Sequence, residues 1–108
     1  MMDNEYQLGL CEQVLKEYDL KDWRVVCERG IYYFLKKFSI FNSNELEEDS
    51  MIRIKGRGDL WQLAYKRHTG RWETLPLEIS GSLLRVAGTF EECVSALQSK
   101  FGYLLTNS

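Results

Sequence analysis

The amino-acid sequence predicts an α+β protein of two layers, in which an antiparallel β-sheet of about four to five strands packs against an N-terminal and a C-terminal helix. Apolar residues recur every three or four positions near both ends of the chain, which is typical of amphipathic helices. Between those ends, apolar and polar residues alternate in short runs, which is typical of half-buried strands. With 108 residues and 44% hydrophobic content, the chain has the size of a single domain over residues 1–108.

Residues 4–18 are predicted to form the first helix. The residues that mark its buried side recur at helical spacing: Leu8, Cys11, Leu15 and Tyr18. Gly9 lies inside this helix, where glycine costs about 1 kcal/mol relative to alanine. A neighbouring element packed closely over that turn would explain the glycine.

Two strands are predicted next, in WRVVCER and in IYYFLKKFSIF, because both are rich in the β-branched and aromatic residues that favour strands. Arg29 and Gly30 between them allow either a tight hairpin or one long strand with a glycine bulge, and we favour the hairpin. The polar segment NSNELEEDS, residues 42–50, is predicted to be the longest loop of the chain.

Further strands are predicted after this loop. Apolar and basic residues alternate from Ile52 to Lys55, and the glycines of GRG, residues 56–58, predict a turn or a bulge. LWQLAYKR and RWETL predict the next two strands, and the second of them ends or becomes an edge at Pro76, because proline has no N–H to donate. EISGSLLRVAG predicts short extended pieces around Gly81.

The C-terminal helix has clear start and stop signals. Thr89 and Glu92 form a capping-box pattern at its start, and Gly102 ends it. Its apolar stripe consists of Phe90, Val94, Leu97 and Phe101. Tyr103 to Leu105 are too apolar for a free tail, so they either fold back on the domain or contact a partner.

The cysteines and the single histidine predict neither a metal site nor a cofactor. Cys11, Cys27 and Cys93 are widely spaced, form no C-x-x-C pair and each lie among apolar neighbours, as buried cysteines do. We therefore expect reduced thiols and a cytoplasmic protein. The sequence contains neither a signal-peptide pattern nor the roughly 20 apolar residues that span a bilayer, so no membrane contact is expected.

No catalytic residue is predicted. His68 is the only histidine available as a base for a nucleophile, and it lies in RHTG, where an exposed turn between arginines is expected. The glycines of KGRG lack the spacing of a phosphate-binding loop. We therefore expect that the protein is not an enzyme, and an unrecognised enzyme is kept as a second alternative.

Charge is segregated along the chain although its net value is only −2. The first helix and the segment 44–49 are acidic, whereas the predicted hairpin 53–72 combines basic residues with tryptophan. Aromatic and basic residues are enriched where proteins bind partners. The candidate partner-binding residues are Arg53, Lys55, Arg57, Lys66, Arg67, His68, Arg71 and Trp72.

The length of the loop in this hairpin decides which side chains share a face. A three-residue loop, residues 68–70, places Lys66 opposite Trp72 and turns Trp72 away from the core. A two- or four-residue loop instead pairs Arg67 with Trp72 and turns Trp72 inward, because a slip of one residue exchanges the two faces. We favour the first register, since three-residue loops that end in glycine are common.

These observations favour a small, non-catalytic binding or adaptor protein of unknown pathway that uses its polarised surface for protein–protein contact. The partner is expected to be another protein or a second copy of the chain. The first alternative is a protein that binds single-stranded nucleic acid through the hairpin 53–72, with bases stacked on Trp72 and phosphates held by the basic residues.

Overall fold

The computed structural model describes residues 4–40 and 44–106. It confirms an α+β fold in which five consecutive strands form one antiparallel sheet in chain order. These strands are β1 (Trp23–Glu28), β2 (Ile31–Ser39), β3 (Leu46–Arg57), β4 (Leu60–Lys66) and β5 (Trp72–Leu75). A second, two-stranded sheet contains β6 (Glu78–Ser80) and β7 (Leu83–Arg85). The helices are α1 (Asn4–Glu17), α2 (Phe90–Ser99) and the short α3 (Tyr103–Thr106).

The core lies between one face of the five-stranded sheet and the helices, and we call this face the inner face. Phe90 of α2 packs edge-on against Tyr32 and Trp61, with ring centroids 4.9 and 5.1 Å apart. The strand residues buried on the inner face are Trp23, Tyr32, Phe34, Ile52, Ile54, Leu63 and Leu75. Because side chains alternate along a strand, the residues between them form an opposite, outer face. The outer face includes Arg24, Val26, Tyr33, Leu35, Lys37, Glu48, Ser50, Arg53, Lys55, Arg57, Ala64, Lys66 and Trp72.

The predicted tight hairpin between the first two strands is confirmed. Glu28 pairs with Ile31, so Arg29 and Gly30 form a two-residue loop, and both have positive φ, 55° and 77°. Two-residue hairpin loops need such left-handed backbone to follow the twist of the strands. Glycine at the second position adopts it without a steric cost.

The loop predicted over residues 42–50 is wrong for its second half, because β3 begins at Leu46. Residues 42 and 43 lie outside the described part of the chain. In the extended ladder Lys37 pairs with Glu48 and Lys36 with Asp49, so the acidic run meets a basic run on β2. Opposite charges across a strand pair stabilise the sheet, and this partner is invisible from the acidic segment alone. A bulge at Phe34 and Leu35 shifts the register between this extension and the core.

The last apolar residues fold back on their own domain, which resolves the two alternatives for residues 103–105. Leu105 is buried in the core and Leu104 packs partly against it, whereas Tyr103 remains 52% exposed. Gly102 is buried under Tyr18, whose hydroxyl donates a hydrogen bond to the carbonyl of Gln98. A Cβ at Gly102 would overlap the Tyr18 hydroxyl, so glycine at this position admits that ring. The helix α2 ends at Ser99, before the end predicted at Gly102, and α3 begins directly after this glycine.

The small β6–β7 hairpin confirms the short extended pieces expected around Gly81, whose φ is +59°. A backbone hydrogen bond of 2.7 Å from Leu77 N–H to the Arg85 carbonyl extends its ladder as far as Leu77, which is buried in the core. Three large aliphatic side chains on it are exposed by more than 60%: Ile79, Leu83 and Leu84.

Gly9 lies on an exposed part of α1, and no heavy atom stands within 4 Å of the position where a Cβ would be. A close neighbour therefore does not explain the glycine at this position.

We predict that Gly9→Ala raises the free energy of unfolding by about 0.5–1 kcal/mol in urea denaturation, because alanine loses less backbone entropy in a helix. Gly30→Ala is the contrasting variant, since its φ of +77° is unfavourable for alanine and stability should fall. A destabilising Gly9→Ala would contradict the exposure of this turn.

The predicted capping box at the start of α2 is confirmed. Thr89 N–H donates to Glu92 Oε1 at 2.9 Å, and Glu92 N–H donates to Thr89 Oγ1 at 3.1 Å. Arg85 Nη2 donates to Glu92 Oε2 at 2.5 Å. The Arg85 guanidinium first, and the Thr89 backbone N–H second, lower the pKa of Glu92 from its ordinary value of 4.5 to about 2.

A lowered pKa of a carboxyl group in the folded state contributes stability above the unfolded pKa, and that contribution is lost as the pH falls through the folded pKa. The ionised Glu92 should therefore stabilise the fold fully above about pH 4.5 and lose this effect towards pH 2. We predict that Glu92→Gln is less stable near neutral pH and loses less stability over this window than the unmodified chain, measured by urea denaturation at several pH values. Glu12→Gln, an exposed change on α1, is the control for loss of one carboxylate. Equal acid sensitivity of Glu92→Gln and the unmodified chain would contradict the assignment.

Candidate partner-binding surface

The first of the two hairpin registers is confirmed. Lys66 pairs with Trp72, and the loop between the strands is closed by a hydrogen bond of 2.8 Å from Arg67 N–H to the Arg71 carbonyl. Gly70 has a φ of +88°, which is the left-handed backbone that a three-residue loop requires at its last position. Trp72 therefore points to the outer face, as predicted.

The Trp72 indole is the centre of a cluster on the outer face that contains Arg53, Lys66 and Tyr33. The Arg53 guanidinium carbon lies 4.5 Å from the centroid of the indole ring, and the Lys66 ammonium lies 5.4 Å from it. The centroid of the Tyr33 ring lies 6.2 Å away. Each cation–π contact at an exposed site contributes about 0.5–1 kcal/mol, so the ring is held in place and remains partly exposed.

Ala64 on β4 is a small residue, and this explains how Trp72 on the edge strand β5 lies close to Tyr33 on β2. Tyr33 pairs with Arg53, Arg53 with Ala64, and Ala64 with Thr74, so these residues form one row across the sheet. Ala64 has only a methyl group in this row and is 5% exposed, although it points away from the core. We infer that the indole of Trp72 lies over this methyl group, which a larger side chain would prevent.

Three basic residues follow one another on the outer side of β3: Arg53, Lys55 and Arg57. Because outward side chains are two residues apart, neighbouring Cα atoms in this basic row are separated by about 6.8 Å along the strand. Within the part of the chain that the structure describes, none of the three makes an ion pair. Lys55 and Arg57 are exposed, so the basic row is available to an anion.

Other predicted binding residues already have acidic neighbours. Lys66 Nζ donates to Asp49 Oδ1 at 2.8 Å and to Ser50 Oγ at 3.1 Å. Arg67 Nε lies 3.8 Å from Glu73 Oε2 in an exposed, weak ion pair. These two cations are therefore partly neutralised, in contrast to the basic row.

The hairpin loop places its residues beyond the outer face. His68 is exposed in the turn, as predicted, and Arg71 is exposed next to Trp72 in sequence. Arg67, His68 and Arg71 thus form the exposed end of the hairpin. The five candidates that share the outer face are Arg53, Lys55, Arg57, Lys66 and Trp72.

The acidic segment 44–49 does not form a separate acidic patch, because two of its acids bond to basic residues of the same sheet. Glu48 accepts two hydrogen bonds of 2.6 Å from the Arg24 guanidinium on the outer face. These bonds lower the pKa of Glu48 and raise that of Arg24. With Asp49 bonded to Lys66, two acids of this segment are paired with cations of the same sheet. On α1, the exposed acids Glu5, Glu12 and Glu17 lie on the helix layer, away from the outer face, and Asp3 lies outside the described residues.

Two outer-face residues that accompany Trp72 were not predicted from the sequence. Tyr33 pairs with Arg53 and packs near the indole, and Arg24 joins Glu48. The alternation in IYYF, with Tyr32 and Phe34 on one face, is the signal that places Tyr33 on the other. The Arg24–Glu48 pair has no comparable signal, because 24 residues separate its partners.

The cysteines divide into two environments. Cys11 and Cys93 are buried, and burial raises the pKa of each thiol to about 12, so both are poor nucleophiles and poor metal ligands. Cys27 is exposed at the free edge of β1, and the expectation that it is buried is wrong, because β1 is the outermost strand of the sheet.

Residues 4–40 and 44–106 contain neither a metal-binding cluster nor a helix that could cross a membrane. No group of three or more histidine, cysteine, aspartate or glutamate side chains is placed to hold a metal ion. None of the helices there has the length and apolarity needed to cross a membrane. In comparisons with protein-family models, curated proteins and solved structures, nothing matched this chain.

The position of Trp72 on the outer face predicts how much stability it contributes. We expect Trp72→Ala to lower the free energy of unfolding by about 1–2 kcal/mol, because the ring is only partly buried and its cation–π contacts are modest. Phe34→Ala on the inner face should cost about 3–5 kcal/mol, because it leaves a cavity in the core. Urea denaturation of both variants, followed by circular dichroism, measures the difference. If both variants lost the same free energy of unfolding, the Trp72 ring would have to be buried in the core, which would contradict its position on the outer face.

Proposed function

We propose that the chain is a small, non-catalytic binding protein whose outer sheet face holds an acidic, extended segment of a partner protein. The observation that carries this proposal is the basic row of Arg53, Lys55 and Arg57, which has no acidic partner among the described residues and ends beside Trp72. The unpaired cations supply charge, and the indole supplies apolar contact area.

An extended peptide matches the basic row in spacing. Side chains on one side of an extended peptide repeat about every 6.8 Å, which is the interval between the Cα atoms of the outward basic residues of β3. Exposed ion pairs contribute only about 0.2–1 kcal/mol each, so the charges alone give weak binding. Tryptophan, tyrosine and arginine dominate binding energy in many interfaces, and Trp72, Tyr33 and Arg53 lie together at one end of the row.

The surroundings of Trp72 favour a protein partner over single-stranded nucleic acid. A base stacked on an exposed aromatic ring contributes about 1–3 kcal/mol. Arg53 and Lys66 already stand over the indole, so a base would displace contacts of about 0.5–1 kcal/mol each and lose much of that gain. Lys66 and Arg67 are also engaged with Asp49 and Glu73. Fewer cations therefore remain for phosphates than the sequence suggests.

The proposal is tested by fluorescence anisotropy with labelled probes. We predict that a decapeptide of alternating glutamate and valine binds with a Kd of about 10–100 µM in low salt, and more weakly as salt screens the ion pairs. A decapeptide of alternating lysine and valine should not bind. Labelled oligothymidine is the third probe, because it presents phosphates and bases without any peptide.

Charge reversal on the basic row identifies the binding surface. Lys55→Glu and Arg57→Glu should each weaken acidic-peptide binding about tenfold, which corresponds to about 1.4 kcal/mol. Lys21→Glu makes the same charge change at an exposed position in the turn before β1 and should have little effect. Equal losses in all three variants would show that only net charge matters.

The other probes decide between the alternatives. Tighter binding of oligothymidine than of the acidic peptide would make the outer face a nucleic-acid interface. A concentration-dependent dimer in sedimentation experiments, weakened by Lys55→Glu, would make a second copy the occupant. If neither probe binds at about 1 mM protein and the chain remains monomeric, the basic row is only a solvated surface.

A further inference from the structure

A groove of about 470 Å³ opens on the inner face, at the end of the sheet farthest from the β1–β2 turn. Its apolar walls come from both layers of the fold: Trp23, Phe38, Met51, Tyr65 and Leu104. Small-molecule sites in proteins have volumes of this order and mostly apolar walls. The groove is separate from the basic row, which lies on the opposite face of the sheet.

The groove exists because β2 and β3 extend past the helix layer. On β2 the inward positions after the buried Phe34 are Lys36 and Phe38, and Phe38 is 41% exposed. Leu105 of α3 is fully buried, whereas Leu104 of the same helix is only partly covered and lines the groove. The inner face therefore has aromatic surface here that its own chain leaves uncovered.

Lys36 is an unusual residue for this position, because it points to the same side of the sheet as the core residues. It pairs with Trp23 on one side and with Asp49 on the other, and its ammonium lies 5.9 Å from the centroid of the Trp23 ring. The Asp49 carboxylate accepts a hydrogen bond of 2.8 Å from Lys66. Among the described residues Lys36 makes no ion pair, so the groove carries one cation more than it carries anions.

We propose that this groove binds a small amphipathic anion, with an apolar chain or ring against Trp23, Phe38 and Met51 and a single carboxylate that accepts a hydrogen bond from Lys36. The apolar walls favour the body of such a ligand, and the unpaired ammonium favours its head group. The Lys66–Asp49 pair at the rim is already neutral and adds little to the attraction. The charge and shape of the groove thus both fit one class of ligand.

Octanoate and 1-octanol form a matched pair of probes, because they share a chain and differ in the charged head group. In a titration followed by backbone amide NMR, octanoate should shift the signals of residues around the groove, such as Trp23, Phe38 and Leu104, and leave those of the basic row unchanged. Octanol should cause similar shifts with about tenfold weaker affinity, since hydrogen bonds to charged groups are stronger than neutral ones. Shifts scattered over the surface, or none, would overturn the proposal.

Neighbouring lysines on β2 provide matched variants, because Lys36 faces the groove and Lys37 faces the outer side. Lys36→Met should weaken octanoate binding about tenfold and leave octanol binding unchanged, whereas Lys37→Met should change neither. Phe38→Ala should weaken both probes, and as this side chain is half exposed, the fold should survive the change. Equal effects of the two lysine variants would overturn the role of Lys36.

The test is independent of the partner-binding proposal. Lys55→Glu, on the opposite face, should leave octanoate binding unchanged, and Lys36→Met should leave binding of the acidic peptide unchanged. Failure of one proposal therefore does not decide the other. Octanoate binding that Lys55→Glu weakens as much as Lys36→Met would place the anion outside the groove.

Discussion

The register of the β4–β5 hairpin is the constraint on which the outer face depends. A hydrogen bond from Arg67 to Arg71 and the left-handed backbone of Gly70 give the loop three residues, and Lys66 then pairs with Trp72. A loop one residue shorter or longer would turn Trp72 towards the helices. The aromatic and cationic cluster would then lose its centre, although the composition of the hairpin would be the same. The backbone conformation of this loop, including the positive φ of Gly70, thus decides on which face of the sheet Trp72 lies.

Charge pairing between neighbouring strands is the second feature that shapes both faces. Glu48 and Asp49 lie opposite Lys37 and Lys36 across the β2–β3 ladder, and their carboxylates bond to Arg24 and Lys66. Such exposed pairs contribute little to stability. Their effect here is selective, because they neutralise some cations of the sheet, whereas Lys36 and the basic row make no ion pair with any residue that the structure describes. The pattern of unpaired charge, more than net charge, therefore defines the two candidate surfaces.

The parts of the fold that the sequence predicts are those set by local chemistry. The Arg29–Gly30 turn, the Thr89 capping box and the end of β5 before Pro76 each depend on residues close together in the chain, and all three are confirmed. The start of β3 was missed, because an acidic run resembles a loop until its basic partner strand is known.

The candidate sites show the same limit. Trp72 was predicted on the outer face from loop length alone, but its neighbours Arg53 and Tyr33 come from strands that pair through the sheet. Local charge in IYYFLKKF does not distinguish Lys36 from Lys37. The alternation of Tyr32, Phe34 and Phe38 nevertheless places it on the inner face, where a charge is unexpected. A charged residue in register with core residues is therefore a signal that sequence analysis can use.

The two surfaces share one residue, although they lie on opposite faces. Lys66 stands 5.4 Å from the centroid of the Trp72 ring and at the same time donates to Asp49 at the rim of the groove. Asp49 and the Trp72 ring therefore share the Lys66 ammonium group, and Arg53 is the second cation at the indole. The contacts that orient Trp72 therefore extend, through a single side chain, to the opposite face of the sheet.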